Sequence, residues 1–275
     1  MIENIKQKLR GRELEWQIKR SIFYEIYLQV FYRNYVKARE KEISFYSSFL
    51  QTDKEKLFFD IGASEGHKTD RFLRMGAKVV CIEPDSSCYR VLQKRFQSKS
   101  ESVKILNKAV SDSAGYKPFY IHRDGSAYNT LDKRWATRVK EANRDLDIPT
   151  LGRINVETVT IDKLISLYGK PHFIKIDIEG HEINALRGLS LEVPFITFEL
   201  NLPDFLEEGI ECIDRLSSID PASRFNFFLT SESGLELSEN IDAEKFKVLL
   251  RNTHLKYMEI LCEMNSAIFS NELSS

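Results

Sequence analysis

At 275 residues, with 42% hydrophobic and 29% charged side chains, the chain has the composition of a soluble globular protein with enough apolar material for a sizeable core. A formal net charge of −1 supplies no global field to attract nucleic acid, and none is expected as a partner. Four scattered cysteines without a C-x-x-C pair exclude a disulfide frame and a cysteine zinc site, and the charged first twenty residues contain no apolar signal core, so the expected location is cytoplasmic.

Residues 1–52 read as a helical extension, with no proline and no glycine after Gly11. Phe23, Tyr27 and Phe31 recur at i, i+4 and form one aromatic stripe. Residues 1–42 hold ten Lys/Arg against six Asp/Glu. Packing on the following domain is the expectation; a homodimer contact or peripheral contact with an anionic membrane are the alternatives for this stripe. No uncharged stretch approaches the ~20 residues a transmembrane helix needs.

From residue 57 short apolar runs alternate with helical segments. Strands are predicted at 57–61, 78–82, 103–106, 172–176, 195–199, 224–229 and 257–262, and helices at 69–74, 86–96, 161–168, 183–189 and 210–219. Several strands are continuous β-branched or aromatic runs, as a parallel sheet covered on both faces requires. The alternation predicts a doubly wound, mostly parallel seven-stranded α/β domain over 53–275. An insert at 116–160, "YKPFYIH", a charged helical stretch over 130–146 and "INVETVTI", reads as a hairpin and lid on that sheet. Its basic residues Arg123, Lys133, Arg134 and Arg138 read as a solvated lid face, or as the binding face for an acidic acceptor.

The run "LFFDIGASEGHKTDRFL" (57–73) breaks from apolar strand into glycines, and its chemistry has three readings. Gly62–Gly66 fits the G-x-S-x-G elbow of a hydrolase, which needs an upstream glycine cluster for its oxyanion hole and has none here. Gly62–Thr69 fits a P-loop except that His67 occupies the position before Lys68 where glycine must let the phosphates approach, and Asp60 brings a carboxylate near a triphosphate. A nucleoside-cofactor loop explains more. Asp60 ends the strand, Gly62 turns the chain, and Gly66 opens the helix. Glu83 then ends the second strand twenty-one residues after Gly62, where an acid accepts ribose hydroxyls. Two glycines four apart, rather than G-x-G-x-x-G, suit a cofactor with a sulfonium and no phosphate, S-adenosylmethionine.

"FFDIGASEGHKT", "CIEPD", "NKAVSD" and above all "FIKIDIEGHEINALRGL" resemble the FkbM-type methyltransferases, a branch of the Rossmann-like methyltransferases, over roughly residues 57–200. The family's first loop reads D-I-G-A-N-x-G-x-x-T; Ser64 stands here in place of its asparagine. The resemblance implies transfer of a methyl group to a hydroxyl of a saccharide, a glycan intermediate or another secondary metabolite. It also implies a cofactor cleft built from Asp60, Gly62, Ala63, Ser64, Glu83, Ala109 and Asp177, with Asp112 near the adenine amine.

Ligands of open α/β sheets bind beyond the carboxyl ends of the strands. His181 is the expected general base, on the condition that its pKa lies near the working pH, with Asp177 and Glu179 orienting it or the acceptor. Asp177, Glu199 and Asn201 offer three oxygen ligands on neighbouring strand ends, a candidate Mg²⁺ set; the alternative is that Glu199 and Asn201 satisfy local hydrogen bonds. A catalytically silent nucleoside-binding module is the rival of a different class.

Overall fold

The structure is a computed structural model that describes residues 22–50, 55–142 and 152–264. The expected helix over 1–21 and the end of the lid stretch, 143–146, lie outside the described residues. In chain order the elements are α1 (Ile22–Phe31), α2 (Arg33–Leu50), β1 (Leu57–Ile61), α3 (His67–Arg74), β2 (Lys78–Ile82), α4 (Ser86–Arg95) and β3 (Val103–Leu106). Then come β4 (Ala109–Val110), β5 (Gly115–Ile121), α5 (Lys133–Ala142), β6 (Gly152–Val159), α6 (Ile161–Tyr168) and β7 (Phe173–Ile176). The last are α7 (Glu182–Arg187), β8 (Phe195–Asn201), α8 (Leu206–Ile219), β9 (Arg224–Phe228), α9 (Ala243–Asn252) and β10 (Tyr257–Glu263). Helix α9 and strand β4 were not among the elements expected from sequence.

The large sheet has the order β3-β2-β1-β7-β8-β10-β9, parallel throughout except that β10 runs antiparallel to both its neighbours. The chain builds outward from β1 to β3 and then returns to place β7 on the other side of β1, so β1 and β7 flank the topological switch point.

Period-two alternation separates the two faces of the sheet. Phe59 and Ile61 point into the core under α6, α7 and α8, while Phe58 points the other way, among residues of α2, α3 and α4. That second face is aromatic. Tyr46 from α2 packs on Phe72 and Phe173 at ring-centroid distances of 5.3 and 5.9 Å, and Phe45 meets Phe228 at 4.8 Å. Tyr46 and Leu50 are fully buried, so the end of the N-terminal segment covers the sheet itself. Glu42 fixes it further, pairing with Lys68 and, at 2.9 Å, with Arg71 of α3.

The segment between β3 and β7 leaves the large sheet and forms a small one, β4-β6-β5, with β5 and β6 antiparallel. Helix α5 lies between β5 and β6 in the chain. The segment read from sequence as an insert, 116–160, carries β5, α5 and β6, and the pairing begins earlier, at Ala109.

Candidate active site

Three strand ends meet at the switch point. After β1 the chain turns through Gly62 and Gly66, at φ of 80° and 78°, and Ser64 at 48°. A Cβ on Gly62 would lie 1.8 Å from the carbonyl oxygen of Asp177, because the β1 and β7 loops touch there. Gly62→Ala therefore combines a left-handed backbone with a backbone collision and should cost about 3 kcal/mol or more, read as a lowered urea midpoint with unchanged slope.

Glu83, at the end of β2, is buried, and both carboxylate oxygens are engaged from the protein side. Oε2 accepts from the Ser64 amide and Oε1 from the Asp85 amide, each at 2.8 Å. Burial raises its pKa to about 7, against the lowering effect of those two amides. Each oxygen retains a further lone pair, and the residue lines the cleft at these strand ends.

After β7, Glu179 has a φ of 58°, uncommon for a residue with a side chain. Two contacts hold that turn. Glu182 Oε1 accepts from the amides of Ile178 at 3.1 Å and Gly180 at 3.3 Å, and Thr130 Oγ1 donates to the Glu179 carbonyl at 2.8 Å. Carboxylate oxygens of Asp177, Glu179 and Glu199 come within 4.8 Å of one another. Lys175 Nζ lies 2.7 Å from Asp177 Oδ2. The Asp177 carboxyl is held below its usual range by Lys175, in spite of burial. Burial raises Glu179 to about 9, helped by the charges of Asp177 and Glu182, and raises Glu199 to about 11, helped by Asp177. One carboxylate is thus ionised at neutral pH and its neighbours hold protons, as like charges at this spacing require. Asn201 donates its amide to Glu199 Oε1 at 2.8 Å, orienting that carboxyl.

A cleft of about 170 Å³ joins these groups, lined by Gly62, Ser64, Glu83, Ala109, Asp177, Glu179, His181 and Glu199 among others. Its roof is the insert: Phe119, Ser126, Ala127, Asn129, Thr130 and Leu131. Asp85 ties the roof down. Its Oδ2 accepts from Gly125 N at 3.0 Å and Asn129 Nδ2 at 2.7 Å, while Oδ1 caps α4 through the Ser87 and Cys88 amides. Sequence reasoning placed a lid in this segment but missed the residues that line the cleft from it and the Asp85 clamp. A lone asparagine in "SAYNTLD" carries no signal until the fold brings it to Asp85.

The other expected site residues fall differently. Asp60 is fully buried beneath the loop, accepting from Thr69 Oγ1 at 2.5 Å, and neither it nor the buried Ala63 lines the cleft. Asp112 also lies off the cleft wall, paired with Lys117, which holds its carboxyl down at about 2. His181 reaches the cleft, but Ser111 Oγ stands 3.0 Å from Nε2 and Asn184 Nδ2 lies 3.2 Å from Nδ1. Burial lowers its pKa to about 4, so the condition placed on it as a base near neutrality is not met. Arg134 is bound to Glu208 at 2.6 Å and lies 4.3 Å from the centroid of Phe205, and Arg138 pairs with Asp204. These two side chains hold α5 against the start of α8.

The rival loop chemistries lose their key groups. Lys68 is committed to Glu42, away from any phosphate cradle. Ser64 Oγ faces Cys88 Sγ at 4.0 Å, and the cleft histidine that an elbow would need is committed to Ser111.

The chain matches the Methyltransferase FkbM domain over residues 60–222. It is 21% identical over 150 residues to the hexuronic acid methyltransferase AglP of Haloferax volcanii, a match covering 54% of this chain and 56% of that protein, so the chain spans just over half of that relative's length. Among solved structures, it resembles precorrin-6y C5,15-methyltransferase from Geobacter metallireducens, with 9% identity, a TM-score of 0.40, and coverage of 83% and 89% of the two chains. It also resembles Pyrococcus horikoshii TYW2 in complex with MeSAdo, with 13% identity, a TM-score of 0.39, and coverage of 83% and 61%.

Proposed function

The chain belongs to the FkbM methyltransferase family, and from that premise we propose that it is an S-adenosylmethionine-dependent O-methyltransferase acting on a hydroxyl of a saccharide, a glycan intermediate or another secondary metabolite. The observation that carries this reading is the set of carboxyl groups gathered on one cleft wall. Glu83, Asp177, Glu179 and Glu199 line it, and the lysine on its wall, Lys108, is paired with Glu157. Such a wall suits a cofactor bearing a sulfonium and an ammonium, whose charge favours the ionised form of these carboxyls, and it offers a triphosphate no uncommitted lysine, since Lys175 is bound to Asp177 and Lys108 to Glu157.

When bound, the cofactor supplies an electrophilic methyl group that an acceptor oxygen can displace. The chain's own residues supply the rest. Glu83, fixed by the Ser64 and Asp85 amides, accepts the ribose hydroxyls. Asp177, kept ionised by Lys175, offers a carboxylate to the cofactor's ammonium. We assign the general base to Glu179 in place of His181. It lies on the cleft wall, and its raised pKa moves toward neutrality once a cation is nearby. The roof formed by the insert covers this chemistry on one side.

The test is a calorimetric titration of S-adenosylmethionine, with ATP–Mg²⁺ in parallel, followed by release of S-adenosylhomocysteine with a panel of sugars. Sugar acids come first, because the Haloferax volcanii relative is a hexuronic acid methyltransferase. Binding of S-adenosylmethionine alone, with turnover on one sugar class, is the expected result. Binding of ATP–Mg²⁺ alone would sink the proposal, and cofactor binding with no turnover on any acceptor would favour a silent module. Because Lys175 already gives Asp177 a fixed cation, we assign the carboxyl cluster to cofactor and acceptor and not to Mg²⁺. Loss of turnover in EDTA, restored by Mg²⁺, would reverse that assignment.

A further inference from the structure

Helix α1 carries an apolar stripe that the core does not use. Ile26, Val30 and Phe31 are 50%, 54% and 71% exposed, and Tyr27 and Tyr32 beside them are 37% and 39% exposed. The stripe is contiguous: the Tyr27 ring lies 5.3 Å from that of Phe31 and 5.4 Å from that of Tyr32. Leu28, by contrast, is buried. Aliphatic side chains mixed with tyrosines, whose hydroxyls stay wet while their rings are covered, fit a boundary between hydrocarbon and water.

Charge selects the occupant. Residues 1–42 hold ten Lys/Arg against six Asp/Glu. Engaged groups leave that excess standing: Arg39 and Glu40 pair with each other, Lys41 meets Glu232, and Glu42 is taken by Lys68 and Arg71, while Arg33 and Lys37 are exposed just beyond the stripe. A second copy seated on the stripe across a two-fold axis would bring two such positive segments together. An anionic surface attracts the same segment. No described helix is long and apolar enough to cross a membrane, so any contact made by the described helices is peripheral.

We propose that α1 docks the protein on an anionic phospholipid bilayer, the stripe entering at headgroup level and the basic segment held by lipid charge. The inference stands apart from the methyl-transfer chemistry, and its readout does not depend on turnover. The full chain is sedimented with vesicles of phosphatidylcholine alone and of phosphatidylcholine mixed with phosphatidylglycerol. Binding is expected only to the mixed vesicles, weakening as salt rises. Joint Val30→Ser and Phe31→Ser should lower the partition coefficient about tenfold or more, with the melting temperature unchanged because both side chains are exposed. The proposal is overturned by any one of three results: equal absence of binding to both vesicles, vesicle binding untouched by the double substitution, or light scattering that shows a dimer dissolved by it.

Discussion

Glu83→Ala is expected to weaken S-adenosylmethionine binding about a hundredfold while the protein stays folded. Two charge-assisted hydrogen bonds to ribose hydroxyls are worth about 1.5 kcal/mol each at the low end, and tenfold in affinity corresponds to about 1.4 kcal/mol. The substitution also releases the Ser64 and Asp85 amides, which now terminate on the Glu83 carboxylate. Part of the loss would therefore come from a loosened glycine loop. Glu83→Gln separates the two effects. An amide keeps one acceptor oxygen but brings an NH₂ donor against one of the two backbone N–H groups, so it should bind more tightly than Ala and more weakly than the native acid. Isothermal calorimetry measures all three. Unchanged affinity in the alanine variant would remove Glu83 from the cofactor site and with it the orientation proposed for the nucleoside.

Glu179→Gln is expected to lower kcat by about a hundredfold or more with cofactor affinity nearly intact, the range usual for loss of a positioned general base. The pH dependence carries the stronger signature. A base acts when deprotonated, so with Glu179 raised to about 9 in the free protein, kcat/KM for the cofactor should climb with pH and level off near that value. The limb in kcat should lie lower, because a bound cation favours the ionised carboxylate. Glutamine should abolish the limb. His181, lowered to about 4 by burial, should contribute no transition near 6.5. A limb near 6.5 that survives Glu179→Gln and disappears in His181→Asn would return the base role to the histidine. The strained φ at Glu179, over-determined by Glu182 and Thr130, means that substitutions at those two positions should move the same limb without touching the reacting atoms.

Local pattern determined the elements of the large sheet. Each of its strands is a short apolar run with flanking breaks, and a run such as "FIKI" is buried at every position, which is why composition alone locates it. The glycine loop and the acid at the end of β2 were legible for the same reason, since both depend on where a strand stops and how tightly the chain must then turn. Helix α9 was also encoded in local terms, by its Asp242 cap and the core-facing Phe246 and Leu250, yet it was not recognised. Strand β4 could not be found that way, because two residues carry no period; only pairing with β6 makes Ala109–Val110 a strand.

Charge state and partnership were decided by the tertiary structure. His181 looks like a base in sequence because unperturbed imidazole titrates near neutrality, but burial against Ser111 and Asn184 removes that property. Glu179 looks like an orienting acid until the fold crowds Asp177 and Glu199 within 4.8 Å of it. Asp112 follows the strand in "AVSD" yet turns to Lys117 on the exposed side, and Lys68 completes a P-loop lysine position yet is taken by Glu42. The sheet, the family and the strand ends that meet at the cleft could all be read from the chain's local pattern. Those follow from periodicity and turn chemistry, which act over a few residues. Which carboxyl is charged, which side chains roof the cleft and which face of α1 is exposed depend on the fold, because desolvation and pairing are set by neighbours brought together from distant parts of the chain.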